Sequence, residues 1–274
     1  MMILEVIHMF DAFYGFKATP FSRNIDVNAL YRNNERDEIL RRLKYAAKSR
    51  LFVVLTGESG SGKTTLLRLF NSEISPSGFN VIYVSDSKLT PRHFYRGILG
   101  QLGFEAKYHR GDAKTQLHKE VELLKAVHNI SPVLIVDEAH LLARDMLEEI
   151  RFLLNMNMDS QSPMALILVG QTELWDNLRL QSHSAIRQRI DIQCHVPKLD
   201  LACVAAYINS HLAFAGCDKN IFSDAAIHEI FKFSGGTPRL VNKTAIASLL
   251  YAAQNQKNII DDHMVKLVVE AELA

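Results

Sequence analysis

The chain has 274 residues, 48% of them hydrophobic and 22% charged, with a net charge of +1 and three cysteines. That length accommodates one α/β domain and a smaller second one, and the composition is ordinary for a globular protein. A near-zero net charge excludes a wholly basic nucleic-acid binder, so any polyanion contact must come from a local patch.

Cys194, Cys203 and Cys217 have no metal-ligand spacing, and the odd count suits a reducing compartment, with buried thiols expected at all three. No apolar run approaches the roughly 20 residues that cross a bilayer. The apolar start, Met1 to Phe10, lacks a basic stretch and a cleavage site, and Met9 is a candidate initiator. A cytoplasmic protein without a membrane span is expected.

Residues 1–50 are read as a segment packing on the core. Leu51-Phe52-Val53-Val54-Leu55 then predicts a buried strand, and Thr65 to Phe70 a helix. Between them Gly57-Glu58-Ser59-Gly60-Ser61-Gly62-Lys63-Thr64 fits G-x-x-x-x-G-K-[ST], the phosphate loop, or Walker A pattern. Glycines let the backbone N–H groups of such a loop converge on phosphate oxygens, and the following helix N-terminus adds positive charge. Lys63 is placed to reach the β- and γ-phosphates, and the Thr64 hydroxyl to ligate Mg²⁺. Gly57 to Thr65 are therefore the expected contacts of a bound nucleoside triphosphate.

Val81-Ile82-Tyr83-Val84 predicts a second strand, and Thr90-Pro91 opens a helix to about Leu102, with proline at the tolerated first position. Residues 103–114 read as a loop, and 115–129 as a long amphipathic helix. A basic cluster spans this region: Lys88, Arg92, His93 and Arg96, then Lys107, Arg110 and Lys114. Two readings stand for it, a solvated helix face and a contact surface for nucleic-acid phosphates.

Val133-Leu134-Ile135-Val136 predicts a buried strand ending in Asp137-Glu138, a Walker B pattern. At the carboxyl edge of an open sheet, Asp137 would hold Mg²⁺ and Glu138 would polarise the attacking water. The alternative is an acidic pair that caps a helix starting near Leu141. Asp137-Glu138-Ala139-His140 also spells a helicase box. Such helicases carry a second, arginine-rich motor domain, for which Ile186-Arg187-Gln188-Arg189-Ile190 is a poor substitute, so that reading is set aside.

A helix over about 143–156, a strand Ala165 to Val169 ending at Gly170-Gln171, a helix near 173–180 and a strand Ile190 to His195 complete an alternating pattern, hence a parallel sheet with crossovers. After Pro197 the predicted elements are helices, at 200–215, 223–234, 238–254 and 261–271, broken at Gly216, Gly235-Gly236 and Asn255-Gln256. The expected domains are 1–50, 51–197 and 198–274.

The phosphate loop, the Asp-Glu strand, the polar end of the Ala165 strand, the paired arginines and Gly236-Thr237-Pro238-Arg239 together resemble the AAA+ ATPases. With Phe13-Tyr14-Gly15-Phe16 and Pro20-Phe21-Ser22 added, the chain resembles the ExeA type, which includes secretion-accessory proteins and ATPases encoded beside transposases. These are related to transposition regulators and to the origin-recognition group. The resemblance implies an α/β P-loop core with helices flanking a parallel sheet, an all-α lid, and ATP with Mg²⁺. It gives Gln171 the sensor-1 role, with Thr172 as a rival, and Arg239 the sensor-2 role, against a plain helix-start arginine. It makes Arg187 or Arg189 an arginine finger reaching a neighbouring subunit in a ring or helical homo-oligomer, against a pair of surface arginines. The aromatic segment at 13–16 either contacts adenine or staples the tail to the core.

The expected role is a transposition helper that assembles with ATP on double-stranded DNA and recruits a transposase. The alternative is a secretion-accessory ATPase acting on proteins at the cell envelope. ATPases of that kind usually continue into a membrane span and a wall-binding domain, which favours the DNA-associated reading here. A replication-initiator or branch-migration ATPase ranks last.

Overall fold

Five short runs rich in Val, Ile and Leu pair into one parallel sheet, with helices in the crossovers. The computed structural model describes residues 10–85, 90–154, 162–217 and 219–273. The strands are β1 (Phe52–Thr56), β2 (Phe79–Val84), β3 (Ser131–Val136), β4 (Ala165–Gly170) and β5 (Ile192–His195), in the order β2-β3-β4-β1-β5. β1 and β4 are buried at every position, as in a sheet covered on both faces. Phe52, Val54, Ile82, Leu134, Leu166 and Leu168 join one apolar cluster with the helices Pro91–Gln101, Arg110–His128 and Arg144–Leu153. The intervening residues Val53, Leu55, Ile135, Ile167 and Val169 are equally buried.

Register fixes the edge where chemistry happens. Thr56 pairs with Gly170 on one side and His195 on the other, while Val84 pairs with Val136. The residues just beyond these strand ends are Gly57, Gln171 and Asp137, all at the carboxyl edge of the sheet. At the outer edge, Gln101 Oε1 accepts the Tyr83 N–H at 3.0 Å, and Gln101 Nε2 donates to Tyr83 O at 2.8 Å.

Several elements differ from expectation. The helix expected at 115 begins at Arg110. His109 makes no side-chain cap, so no local signal marks that start. The first turn is held instead by Arg110 and Lys114 on Glu149 and by Ala113, which packs with Leu117 and Val121 on the buried face. The helix expected over 143–156 runs Arg144–Leu153, and residues 155 and 156 lie outside the described residues. The last helix is α-helical only over Asp262–Val268 and widens into a π turn over Val269–Leu273. Of the three thiols only Cys194 is buried; Cys203 and Cys217, at the two ends of the helix Leu201–Phe214, are partly covered.

The chain divides into two compact units. One comprises Glu35–Ser59 and Lys63–Val196 and holds the sheet; the other comprises Met1–Asn34, Gly60–Gly62 and Pro197–Ala274. Residues 10–34 thus group with the helices rather than with the sheet. Apolar packing explains it: Phe10 and Phe21 are buried among Val204, Ile208, Leu212 and Val241, and Phe13, Tyr14 and Phe16 pack on the same cluster. The Tyr14 hydroxyl donates to Lys257 O at 3.0 Å. The tail is therefore stapled to the helical unit.

That unit is built on close backbone approach. Gly236 has φ 76°, Leu199 N donates to its carbonyl at 2.9 Å, and a Cβ at Gly236 would fall 1.8 Å from Leu199 O. Only glycine fits there. His211 is buried against Phe21 and Tyr207, with ring centroids 4.9 and 4.5 Å away, and its Nδ1 accepts the Phe21 N–H at 3.1 Å.

Burial lowers the His211 pKa from 6.5 to about 4. The unfolded chain therefore binds the proton more readily than the folded one. The stability this group confers is complete above pH 6.5 and is lost as pH falls toward about 4. The loss is about 3 kcal/mol in full. Wild type is expected to lose more urea-midpoint stability than His211→Gln between pH 7 and about pH 4.5. Equal losses would refute the assignment.

Candidate functional site

The phosphate loop leaves β1 at Gly57. Its start is anchored by Thr56 Oγ1, which donates to Cys194 O at 3.3 Å and lies 3.2 Å from His195 Nδ1. Gly60 and Gly62 adopt φ 79° and 97°, a left-handed region that side chains avoid. The helix Lys63–Glu73 begins directly after, so the first-turn N–H groups of Lys63, Thr64 and Thr65 have no helical partner and face the loop. Lys63 is buried, and its Nζ donates to Gly57 O at 2.8 Å and Glu58 O at 2.9 Å. These carbonyls hold the ammonium over the loop.

Gly60, Ser61 and Gly62 belong to the unit that contains Arg239. Within that unit Arg239 N donates to Gly60 O at 3.3 Å. A Cβ on Gly60 would stand 2.7 Å from Arg239 Cβ and 3.2 Å from Thr237 Cγ2. Arg239 sits in the first turn of the helix Pro238–Gln254, with proline at the permitted position.

Asp137 follows β3 and is buried at 4% exposure. Its Oδ2 accepts from the Tyr83 hydroxyl at 2.6 Å and from Thr64 Oγ1 at 3.4 Å, and its Oδ1 accepts the Glu138 N–H at 2.8 Å. Burial, then the bond to Asp137, pushes the Tyr83 pKa above its usual value, so the phenol stays a donor. Glu138 has φ 53°, and its carboxylate is 48% exposed. The helix-cap alternative fails: Glu138 makes no side-chain cap bond, a short 3-10 turn Ala139–Leu141 follows, and the helix begins only at Arg144.

Gln171 occupies the cap position of the helix Thr172–Arg179, next to β4. Its Nε2 lies 3.1 Å from His140 Nε2. The two arginines are placed on backbone carbonyls: Arg187 Nη1 donates to Arg179 O at 2.6 Å, and Arg189 Nη1 to Arg151 O at 3.3 Å. Both are partly exposed.

The basic cluster is dispersed in its commitments. Lys88 lies outside the described residues. Arg92 and Arg96 are exposed one turn apart on the helix Pro91–Gln101, and the Arg92 guanidinium lies 4.0 Å from the centroid of the Tyr108 ring. Lys107 is exposed. Arg110 is hydrogen-bonded to the buried carboxylate of Glu149, which also accepts from Tyr95 and lies 3.8 Å from Lys114. Its charge is matched within the chain.

Tyr83, His140 and Glu149 are the residues that the sequence reading missed as partners. Tyr83 is visible only once β2 and β3 are aligned in register; His140 was in view as the last letter of the Asp-Glu-Ala-His run.

A glycine loop leading to a helix, a strand-end Asp-Glu pair and the order β2-β3-β4-β1-β5 define a P-loop ATPase of the AAA+ class, and residues 46–178 match the model of the AAA domain family. The chain is related to the ExeA-like members of that class. It is 32% identical over 249 residues to General secretion pathway protein A of Aeromonas hydrophila. The match covers 89% of this chain and 45% of that protein, so the chain spans less than half of its relative's length. The fold is also that of Cdc6p from Pyrobaculum aerophilum (TM-score 0.65, 17% identity, 95% of this chain and 70% of that one). The Aeropyrum pernix ORC2 protein is similar too (TM-score 0.69, 16% identity, 92% and 71%). So is a Drosophila ORC structure bound to DNA (TM-score 0.69, 16% identity, 98% and 66%). Among the described residues no helix is long and apolar enough to cross a membrane.

The donors around Asp137 suit a hard divalent cation. A hydroxyl and a carboxylate, both oxygen ligands, meet at 3.4 Å, and a magnesium ion takes such ligands together with phosphate oxygens and water. Thr64 and Asp137 are the residues that would hold it. Removing the Tyr83 hydroxyl takes one donor from Asp137 without touching the loop. Tyr83→Phe is expected to raise several-fold the Mg²⁺ concentration needed for half-maximal tightening of nucleotide binding, while Mg²⁺-free nucleotide affinity stays unchanged. Fluorescence titration of a labelled nucleotide at graded Mg²⁺ checks this; an unchanged Mg²⁺ midpoint would count against the role of Tyr83.

Proposed function

We propose that the chain is a Mg²⁺-dependent ATPase that assembles with ATP on double-stranded DNA and serves a transposase as a cytoplasmic transposition helper. One observation supports the hydrolytic part above the rest. The buried Asp137 collects Thr64, Tyr83 and the Glu138 N–H at the sheet edge, and the next carboxylate along the chain is half exposed. Asp137 is thereby fixed as a hydrogen-bond acceptor, and Glu138 is left with a solvent-facing carboxylate able to take a proton from water.

A magnesium ion held by Thr64 and Asp137 would supply charge neutralisation to the bound phosphates. The remaining steps belong to the chain. Loop N–H groups from Gly57 to Thr65 and the Lys63 ammonium bind and orient the phosphates. Glu138 accepts the proton of the attacking water, Gln171 senses the γ-phosphate, and Arg239 couples the helical unit to nucleotide state through its bond to Gly60. Arg187 or Arg189 serves as the finger for a neighbouring protomer, which makes turnover depend on assembly. Both are within one short stretch and partly exposed, which supports that role.

The DNA assignment is supported by the exposed Arg92, Arg96 and Lys107 and by the exposed Tyr108 ring under Arg92, cations and an aromatic face suited to a polyanionic strand. A second reading is favoured by the 32% identity to a general secretion pathway protein: an ATPase that spends turnover on a protein partner at the envelope.

Lys63→Ala is expected to abolish nucleotide binding. Glu138→Gln should keep binding and lose turnover by about a hundredfold or more, measured by phosphate release. Wild-type turnover in Glu138→Gln would overturn the base assignment. Duplex-DNA binding with ATP, ADP or no nucleotide, across a salt series, decides between the two partners. ATP-dependent binding that weakens with salt, and whose salt slope falls by about one in Arg92→Ala or Arg96→Ala, supports the DNA role. Absence of DNA binding under every nucleotide condition moves the protein-partner reading to the front.

A further inference from the structure

The run Asp137-Glu138-Ala139-His140 ends in a histidine that the hydrolytic reading leaves without a task. His140 lies in the turn Ala139–Leu141 directly after β3, and its side chain is only 11% exposed. Its Nδ1 stands 3.6 Å from Glu138 Oε2, and its Nε2 stands 3.1 Å from Gln171 Nε2. The absence of a side chain at Gly170 permits this arrangement. A Cβ there would approach His140 N to 3.1 Å and Leu174 Cδ2 to 2.9 Å, wedging the end of β4 away from the turn. One imidazole therefore bridges the proposed base and the proposed γ-phosphate sensor.

Gln171 meets both nitrogens of this ring. Its backbone N–H donates to His140 Nδ1 at 3.5 Å, and its side-chain amide faces His140 Nε2 at 3.1 Å. Nδ1 is also the nitrogen on the Glu138 side. The imidazole is therefore fixed by Gln171 at both ends while one edge lies against the Glu138 carboxylate.

We infer that His140 is a positioning residue for ATP hydrolysis. It is held by the backbone and side chain of Gln171 and packs its Nδ1 edge against the Glu138 carboxylate, so that the place of the base follows that of Gln171. This rests on the assignment of Glu138 as base and Gln171 as sensor made above.

The test uses the full chain and the variants His140→Ala, His140→Gln, Gln171→Ala and His140→Ala/Gln171→Ala. Affinity for a fluorescent ATP analogue is measured beside steady-state kcat and KM. His140→Ala is expected to change ATP affinity and KM by less than about threefold while kcat falls by about tenfold to a hundredfold. His140→Gln, whose amide both donates and accepts, should recover part of kcat. The double variant should lose no more than the worse single one, because the chain of contacts is broken only once. The inference is overturned if kcat is unchanged in His140→Ala, if affinity and kcat fall together in both His140 variants, or if the two single losses multiply. Should His140→Ala fail to fold, His140→Gln against His140→Gln/Gln171→Ala decides by the same non-additivity. Wild-type turnover in Glu138→Gln would remove the parent reading. Loss of turnover in Glu138→Gln beside a normal His140→Ala would remove the inference about His140 alone.

Discussion

Asp137 is the group around which the carboxyl edge of the sheet is organised. A buried carboxylate is costly unless its lone pairs are filled, and here the donors come from three places: the helix after β1, the edge strand β2 and the chain's own next residue. The Tyr83 donor arrives only if β2 and β3 hold their register, since a slip of one residue would turn Tyr83 to the opposite face. The buried alternation of the strands and the satisfaction of this single carboxylate therefore demand the same alignment. Fold and site are specified together.

What was legible in the sequence was whatever local chemistry demands. A backbone that cradles phosphate needs glycine at fixed spacing, and a strand buried on both faces needs an unbroken apolar run, so the loop at Gly57 to Thr64 and the strand ending in Asp137-Glu138 could be read directly. The close approach of Gly236 to Leu199 explains the glycine pair in the helical unit after the fact, but its partner lies far along the chain. Tyr83, His140 and Glu149 were illegible for the same reason: each gains its meaning from a residue on another strand or helix. The early start of the helix at Arg110 belongs here as well, because an ion pair with Glu149 replaces the cap that sequence analysis looks for. The packing of the first segment could not be read because its aromatic residues carry no mark of which cluster they will join.

Glu149 also changes how charge in the basic region is counted. A carboxylate at 2% exposure accepts from Tyr95 and Arg110 and lies near Lys114, so two cations of this region are matched within the chain. Arg92, Arg96 and Lys107 remain exposed, and the Arg92 guanidinium lies over the Tyr108 ring. A surface of this kind is better suited to following a backbone of phosphates than to reading base edges.

The side chain of Gln101 has a consequence beyond its two hydrogen bonds to Tyr83. β2 is an outer strand, and an unpaired outer strand is a template onto which a foreign segment can add. By presenting one acceptor and one donor to the same residue, the Gln101 amide imitates a single residue of a sixth strand and occupies the hydrogen-bonding position nearest the nucleotide. Growth of the sheet by strand addition is thereby blocked at the end where it would disturb Tyr83 and, through it, Asp137. An added strand would have to displace this amide before it could extend the sheet at that position.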